Sequence, residues 1–228
     1  MLDRAFLPES RVLVLTMVRA PVNALDEALY DALHEALVAA DNDKAIGAVV
    51  LASSTPKAFC AGADIKAFAH LPHAQAEEKH LDLLLRCLLD LVQFSKPLVA
   101  AVHAPAIGAG LMLACACDEV VLAHNAWVSL PEAKINIPTP IGAAIAARRF
   151  SGAALQMLVQ RAERFDAPRC LREGFAQELV ESGQVLAAAL ERLKAYEDVS
   201  ADVYAANKRW LNREMRDLLQ ASSDSVRP

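Results

Sequence analysis

Apolar positions along the chain fall into two rhythms. VLVLTM at 12–17, IGAVVLAS at 46–53, LVAAVH at 98–103, EVVLAH at 119–124 and WVSL at 127–130 are short apolar or β-branched runs and predict strands. The runs at 46–53 and 98–103 are apolar at nearly every position, the pattern of a buried strand. Between them the period lengthens to that of a helix. Leu29, Leu33, Leu37 and Val38 recur at helical spacing to about Ala40, with Asn23 or Asp26 available as the cap. A leucine-dense stretch around 76–94 places Leu81, Leu84, Leu85, Leu88 and Val92 on one side of a second helix. APAIGAG then turns the chain after the 98–103 strand, and LMLACAC begins another helix. From about Thr139 the pattern is nearly all helical, with a capped start at Asp166, a stop at Gly174, and helices near 184–197 and 201–220. The last residues, ASSDSVRP, read as a frayed polar tail. The expectation is an α/β fold, with a strand-rich core over residues 1–150 and a helical region over 151–228.

Composition narrows the class. With 228 residues, 55% of them hydrophobic, the chain can bury a core and is not disordered. Lys and Arg total 23 against 28 Asp and Glu, and no basic run occurs, so neither a phosphate backbone nor an anionic lipid surface is an expected partner. The opening MLDRAFLPES has no basic region followed by a long apolar stretch, so a cytoplasmic protein is expected. PLVAAVHAPAIGAGLMLACAC at 97–117 lacks formal charge over nearly the length of a membrane span, but Pro97, Pro105, Gly108 and Gly110 break it into strand, loop and helix. Five cysteines (Cys60, Cys87, Cys115, Cys117, Cys170), odd in number and without a C-x-x-C pair, fit reduced thiols rather than a disulfide framework.

Two loops carry candidate chemistry. KAFCAGADIKAF at 57–68 places Ala61, Gly62 and Ala63 after a buried strand, where small side chains let backbone amides approach a ligand. APAIGAGLMLA at 104–114 opens a helix with small residues, and the first amides of a helix have no partner within it. Two such amides facing one point make an oxyanion hole. Downstream, SLPEAKINIP at 129–138 sets one carboxylate, Glu132, in an otherwise largely apolar segment. His103 ends a strand beside the second loop, where an imidazole more often braces backbone than moves protons. Cys115 and Cys117 fall on different faces of a helix and do not converge on a metal, and nothing pairs Cys60 with a base.

The ordered set AFCAGADIKAF, KPLVAAVHAPAIGAGLMLACACDEVVLA and SLPEAKINIPTP resembles the crotonase superfamily, the enoyl-CoA hydratase/isomerase family, from about residue 10 to NKRWLNRE. The resemblance implies a crotonase-like superhelix of repeated ββα units with a C-terminal helical region that mediates trimer contacts, giving a homotrimer or a dimer of trimers. It implies an acyl-CoA thioester substrate and no separate cofactor, coenzyme A being part of the substrate, and no metal. Residue by residue, Ala63 and Ala109 match the two oxyanion-hole amides, the family usually having glycine at the second. Asp64, Ile65 and Lys66 match the stretch along CoA, and Glu132 matches one of the two catalytic glutamates of the hydratases. Met112 matches the other and cannot exchange a proton. One base that removes a proton from C2 and returns it to C4 performs Δ3 to Δ2 enoyl-CoA isomerisation, which is the expected reaction. The rivals are a hydratase, hydrolase or decarboxylase using the same glutamate, and a CoA-binding or scaffold relative without turnover. Many members continue past NREMRDLLQ with further helices that wall the acyl pocket.

Overall fold

In the computed structural model, which describes residues 1–226, the elements run in order β1 (Leu2–Leu7), β2 (Val12–Met17), α1 (Glu27–Asn42), β3 (Ala48–Ser53), α2 (His73–Gln93), β4 (Leu98–Val102), β5 (Ala106–Ile107), α3 (Ala109–Ala116), β6 (Glu119–Ala123) and β7 (Trp127–Ser129). The second half adds α4 (Pro140–Ala146), α5 (Gly152–Gln160), β8 (Phe165–Asp166), α6 (Ala167–Arg172), β9 (Glu178–Val180), α7 (Val185–Leu193), α8 (Ala201–Leu211) and α9 (Arg213–Val226). Six strands form one sheet in the order β1-β2-β3-β4-β6-β9, and β5-β7-β8 form a smaller one. From β2 onward the large sheet is parallel, with Val14 opposite Val50, Val50 opposite Val99 and Ala100 opposite Val120. Parallel neighbours need a crossover, and α1 and α2 supply the first two.

Burial follows the apolar runs. Every residue of β4 is buried, as are all but the last of β3, and α7 packs along both strands. Leu29, Leu33 and Leu37 of α1 point inward, while Val38, at the edge of that stripe, is exposed. Asp26 caps α1 by accepting from the Leu29 amide at 2.9 Å, and Asn23 does something else, described below.

Residues after 150 pack on the same core. β9 pairs with β6, α7 lies against β3, β4 and β6, and α9 runs along α2. α8 is tied down by Lys208, whose buried ammonium meets Asp118 at 2.6 Å and the Lys96 carbonyl at 3.1 Å. Where one helix was expected over 201–220, the chain breaks at the buried Asn212. Its side chain donates to the Val92 carbonyl at 2.9 Å and accepts from Arg148 at 2.6 Å. The expected frayed tail is also corrected: 221–226 continue α9 and Ser223 is buried, while residues 227–228 lie outside the described chain. The uncharged stretch 97–117 resolves into β4, β5 and α3, and among the described residues no helix is long and apolar enough to cross a membrane.

Candidate active site

The first loop is held from its entry. Asn23 adopts a left-handed backbone (φ 48) and is fully buried. Its amide nitrogen donates to Ser53 Oγ at 2.7 Å, the Phe59 carbonyl at 3.0 Å and the Met17 carbonyl at 3.2 Å, and its side-chain oxygen accepts from the Arg19 amide at 2.7 Å. Cys60 adds a thiol bond to the Asn23 carbonyl at 3.0 Å, and full burial pushes that thiol up to about 12, so it has no nucleophilic thiolate at neutral pH. The result is a fixed path into residues 61–64.

Beyond Cys60 the loop pairs briefly with the segment before α1. The Leu25 amide donates to the Gly62 carbonyl at 2.7 Å, and the Asp64 amide donates to the Leu25 carbonyl at 2.9 Å. Ala63 sits between these bonds as the bridge partner of Leu25, so its own N–H points to the opposite side. Among the described residues that N–H has no acceptor in the protein. Gly62 (φ 90) lies against the second loop: a methyl there would stand 3.0 Å from the Ile107 carbonyl and 3.5 Å from the Ala109 nitrogen. The two loops therefore meet at residues 62–63 and 107–109.

The second loop turns at Gly108, whose φ of 54 and ψ of −125 suit glycine alone. Ala109 is the first residue of α3, and its N–H likewise finds no protein acceptor among the described residues. Gly110 lets α3 approach the first loop, since a methyl there would collide with the Cys60 carbonyl. Gly110→Ala is accordingly expected to push α3 away and carry the Ala109 amide with it. Overpacking of this kind costs about 1–3 kcal/mol, and at roughly 2–4 °C per kcal/mol for a chain of this size a thermal melt should fall by several degrees, with turnover reduced alongside.

Glu132 arrives from the other side. It lies in the 3-10 turn Pro131–Ile135, which Asn136 ends in a left-handed conformation (φ 58). Its Oε1 would be 2.9 Å from a methyl on Gly108, so the carboxylate rests directly on the turn that presents Ala109. Oε2 is buried without a hydrogen-bond partner among the described residues. Loss of water around it raises the carboxyl pKa above 4.5. A carboxylate with a raised pKa and a free oxygen is equipped to take a proton from a weak carbon acid.

Met112, one turn into α3, is buried, and its terminal methyl would lie 2.6 Å from a methyl on Gly142. Thr139 Oγ1 would collide with the same methyl, so Met112 and Thr139 meet over Gly142. The sequence pattern marked Thr139 only as the approximate start of helical periodicity, and its place beside Met112 depends on a turn that sequence spacing does not reveal.

The remaining expected site residues lie outward of Ala63. Asp64 is bound to Arg19 at 2.6 Å, and Arg19 also holds Asp26 at 2.8 Å. Burial pushes the Asp64 carboxyl up, but the hydrogen bond and charge of Arg19, with the Ala67 and Lys66 amides, outweigh it and hold the group below the usual carboxylate range. Its side chain therefore braces the loop. Ile65 is 66% exposed and Lys66 is exposed on the turn that follows. A cavity of about 520 Å³ opens beside this turn, between Phe68, Leu71, Asp26 and Lys79, and neither Glu132 nor Met112 lines it. His103 Nε2 donates to the Thr55 carbonyl at 2.9 Å, in keeping with a bracing role. All five cysteines are free and buried, and no group of three metal-ligating side chains occurs among the described residues.

Known proteins match the chain along nearly its whole length. Residues 8–225 match the family described as enoyl-CoA hydratase/isomerase. The 2,3-dehydroadipyl-CoA hydratase of Escherichia coli is 33% identical over 215 residues, 93% of this chain and 83% of that protein. A probable enoyl-CoA hydratase of Rhizobium meliloti is 32% identical over 209 residues, 91% of this chain and 80% of the relative. Among solved structures, the apo form of an enoyl-CoA isomerase of Mycobacterium tuberculosis aligns with a TM-score of 0.90 at 25% identity, covering 99% of this chain and 96% of its own.

Proposed function

The chain belongs to the enoyl-CoA hydratase/isomerase family, a crotonase-fold enzyme family acting on acyl-CoA thioesters, and from that premise we propose that it moves a double bond from C3–C4 to C2–C3 of an enoyl-CoA. In this reading the amides of Ala63 and Ala109 bind the thioester oxygen, and Glu132 removes a proton from C2. The C–H electron pair enters the dienolate, the oxygen charge is met by the two N–H groups, and Glu132 returns the proton at C4. The balance needs no redox partner and no separate cofactor, since coenzyme A enters and leaves as part of the substrate. CoA runs past Ala63, Asp64, Ile65 and Lys66.

The observation that carries this reading is the pairing of one half-buried carboxylate, whose buried Oε2 has no partner among the described residues, with the buried Met112, which matches the place of a second. Addition of water to a double bond uses two carboxylates to hold and activate that water; Met112 supports neither role. Hydration by Glu132 alone is the second reading, favoured by the hydratase names of the relatives at 32% and 33% identity. A panel of 2-enoyl, 3-enoyl and aromatic acyl-CoA thioesters, followed by absorbance, separates the two. Binding without turnover across the panel would instead leave a CoA-binding protein.

Assembly as a homotrimer or a dimer of trimers is part of the same proposal. Val203 and Trp210 share one face of α8, with Trp210 66% and the adjoining Leu211 78% exposed, more apolar surface than a helix that stays in water presents. Light scattering is expected to give three or six times 24.6 kDa, and a monomer at micromolar concentration would count against it.

A further inference from the structure

We propose that Asn23 is a positioning residue for this site: its buried side-chain amide ties the first loop to the ends of β2 and β3 and so holds the Ala63 N–H at the thioester oxygen. That role rests on the reading of Ala63 as an oxyanion donor.

A donor amide stabilises developing charge only if it is already in place, since moving it during the reaction would consume the energy it supplies. Ala63 lies in a loop, so its aim has to be set by neighbouring segments. From one side the Ala61 amide donates to the Val22 carbonyl at 3.0 Å, and the bonds of Cys60, Gly62 and Asp64 to Asn23 and Leu25 continue the same seam. From the other side the second loop grips the first: the Phe59 amide donates to the Pro105 carbonyl at 2.9 Å, and the Ile107 amide to the Cys60 carbonyl at 3.0 Å. Residues 59–60 therefore set the spacing between the two donor loops.

Asn23 reaches that point with its side chain. Two amide hydrogens are shared among three acceptors: the Phe59 carbonyl in the loop, the Met17 carbonyl at the end of β2 and Ser53 Oγ at the end of β3. The Ser53 hydroxyl in turn donates to the Ala58 carbonyl at 3.2 Å. The large sheet thus anchors the loop through one residue. The left-handed backbone of Asn23 suits asparagine, and its own amide donates to the Arg19 carbonyl at 2.8 Å, so the side chain extends from a fixed base. Without that side chain the buried Phe59 carbonyl loses its partner, and the loop shifts to find another. A displacement of about 1 Å at a group that meets the reacting atoms costs on the order of 10²-fold in rate.

Steady-state kinetics of the full-length protein with 3-hexenoyl-CoA test this. Asn23→Gly leaves the left-handed turn accessible and removes only the side chain. Its kcat is expected to fall about 10- to 100-fold, with KM within about threefold, because the 63–66 segment keeps its bonds to Leu25 and Arg19. In the Ala63→Pro background the same change is expected to cost less than about twofold, since the amide it positions is gone. Lys208→Met is the control. It breaks a buried ion pair with Asp118, which is bonded to Leu98 at the start of β4, the end away from the second loop. It is expected to lower the melting temperature while kcat holds within about twofold. If Asn23→Gly does not fold, Ser53→Ala loosens the same tie more gently, and its kcat is expected to fall about threefold. Wild-type kcat in whichever of these two variants folds overturns the role. So does a loss undiminished in the Ala63→Pro background, or an equal loss of kcat in Lys208→Met at the same fall in melting temperature. Normal turnover by folded Ala63→Pro overturns the donor reading and this role together.

Discussion

Glu132→Gln is expected to lower 3-enoyl-CoA isomerisation by roughly 10²–10⁴-fold, the usual share of a general base, with the fold and CoA affinity intact. The glutamine keeps the volume of the side chain against Gly108 but has no basic oxygen, and in the proposed reading CoA lies along the segment around 63–66 rather than against residue 132. The same variant carries a stability signature. Burial holds the Glu132 carboxyl above its ordinary 4.5, so folding favours the protonated form. Its contribution to stability is therefore full below the unfolded pKa and lost as pH rises through the raised folded value. Glu132→Gln is expected to melt above the wild type at pH 8 and level with it near pH 4, a gain in stability at the expense of chemistry. In the wild type, turnover is expected to run the other way with pH, the rate rising through that same raised value as the carboxylate forms. A variant that isomerises normally would remove Glu132 from the role of base, and one less stable at pH 8 than at pH 4 relative to wild type would mean that burial does not raise its pKa.

Ala63→Pro is expected to cost on the order of 3 to 4 kcal/mol of transition-state stabilisation, the effect of deleting one oxyanion donor. Proline lacks only the N–H at issue, because Ala63 makes no backbone bond through its nitrogen within the protein and the flanking bonds belong to Gly62 and Asp64. Gly62 before it tolerates the restriction that proline places on its predecessor. Circular dichroism and a melt distinguish lost chemistry from lost fold. Ala109→Gly is the companion variant: it keeps the second donor, so turnover is expected to survive, and a rise in rate would mean that the Ala109 methyl narrows the hole. Normal turnover by a folded Ala63→Pro protein would mean that Ala63 is not a donor.

The longer strands and helices were legible because burial on both faces of a parallel sheet demands unbroken apolar runs, and β2, β3, β4 and β6 fall within two residues of the predicted bounds. β1 was not legible: its middle four residues are exposed and two of them are charged, so the strand exists through its antiparallel pairing with β2 rather than through its own pattern. β5 and β8 have two residues each and β9 three, too few to show a period. The break at Asn212 was invisible for a different reason, since it depends on Val92, 120 residues away.

The site divides along the same line. Glu132 by itself reads more readily as a helix-cap carboxylate, and it stood out only beside the two small-residue loops, which stood out because the first amides of a helix have no partner within it. Asn23 looked like a cap because asparagine caps helices, whereas its side chain ties together Ser53 and Phe59, 30 and 36 residues on. Asp64, matched to the stretch along CoA, spends its carboxylate on Arg19. Thr139 gave no signal, because nothing local tells that its hydroxyl leaves the helix it caps and turns to Met112 on another helix.

The most direct measurement sets two rates side by side in the wild-type protein at neutral pH: conversion of a 3-enoyl-CoA to the 2-enoyl-CoA, and hydration of that 2-enoyl-CoA to the 3-hydroxyacyl-CoA. With Glu132 as the sole carboxylate and Met112 in the second place, isomerisation is expected to be the faster. Hydration outpacing isomerisation would contradict the account, because some other group would then be activating water.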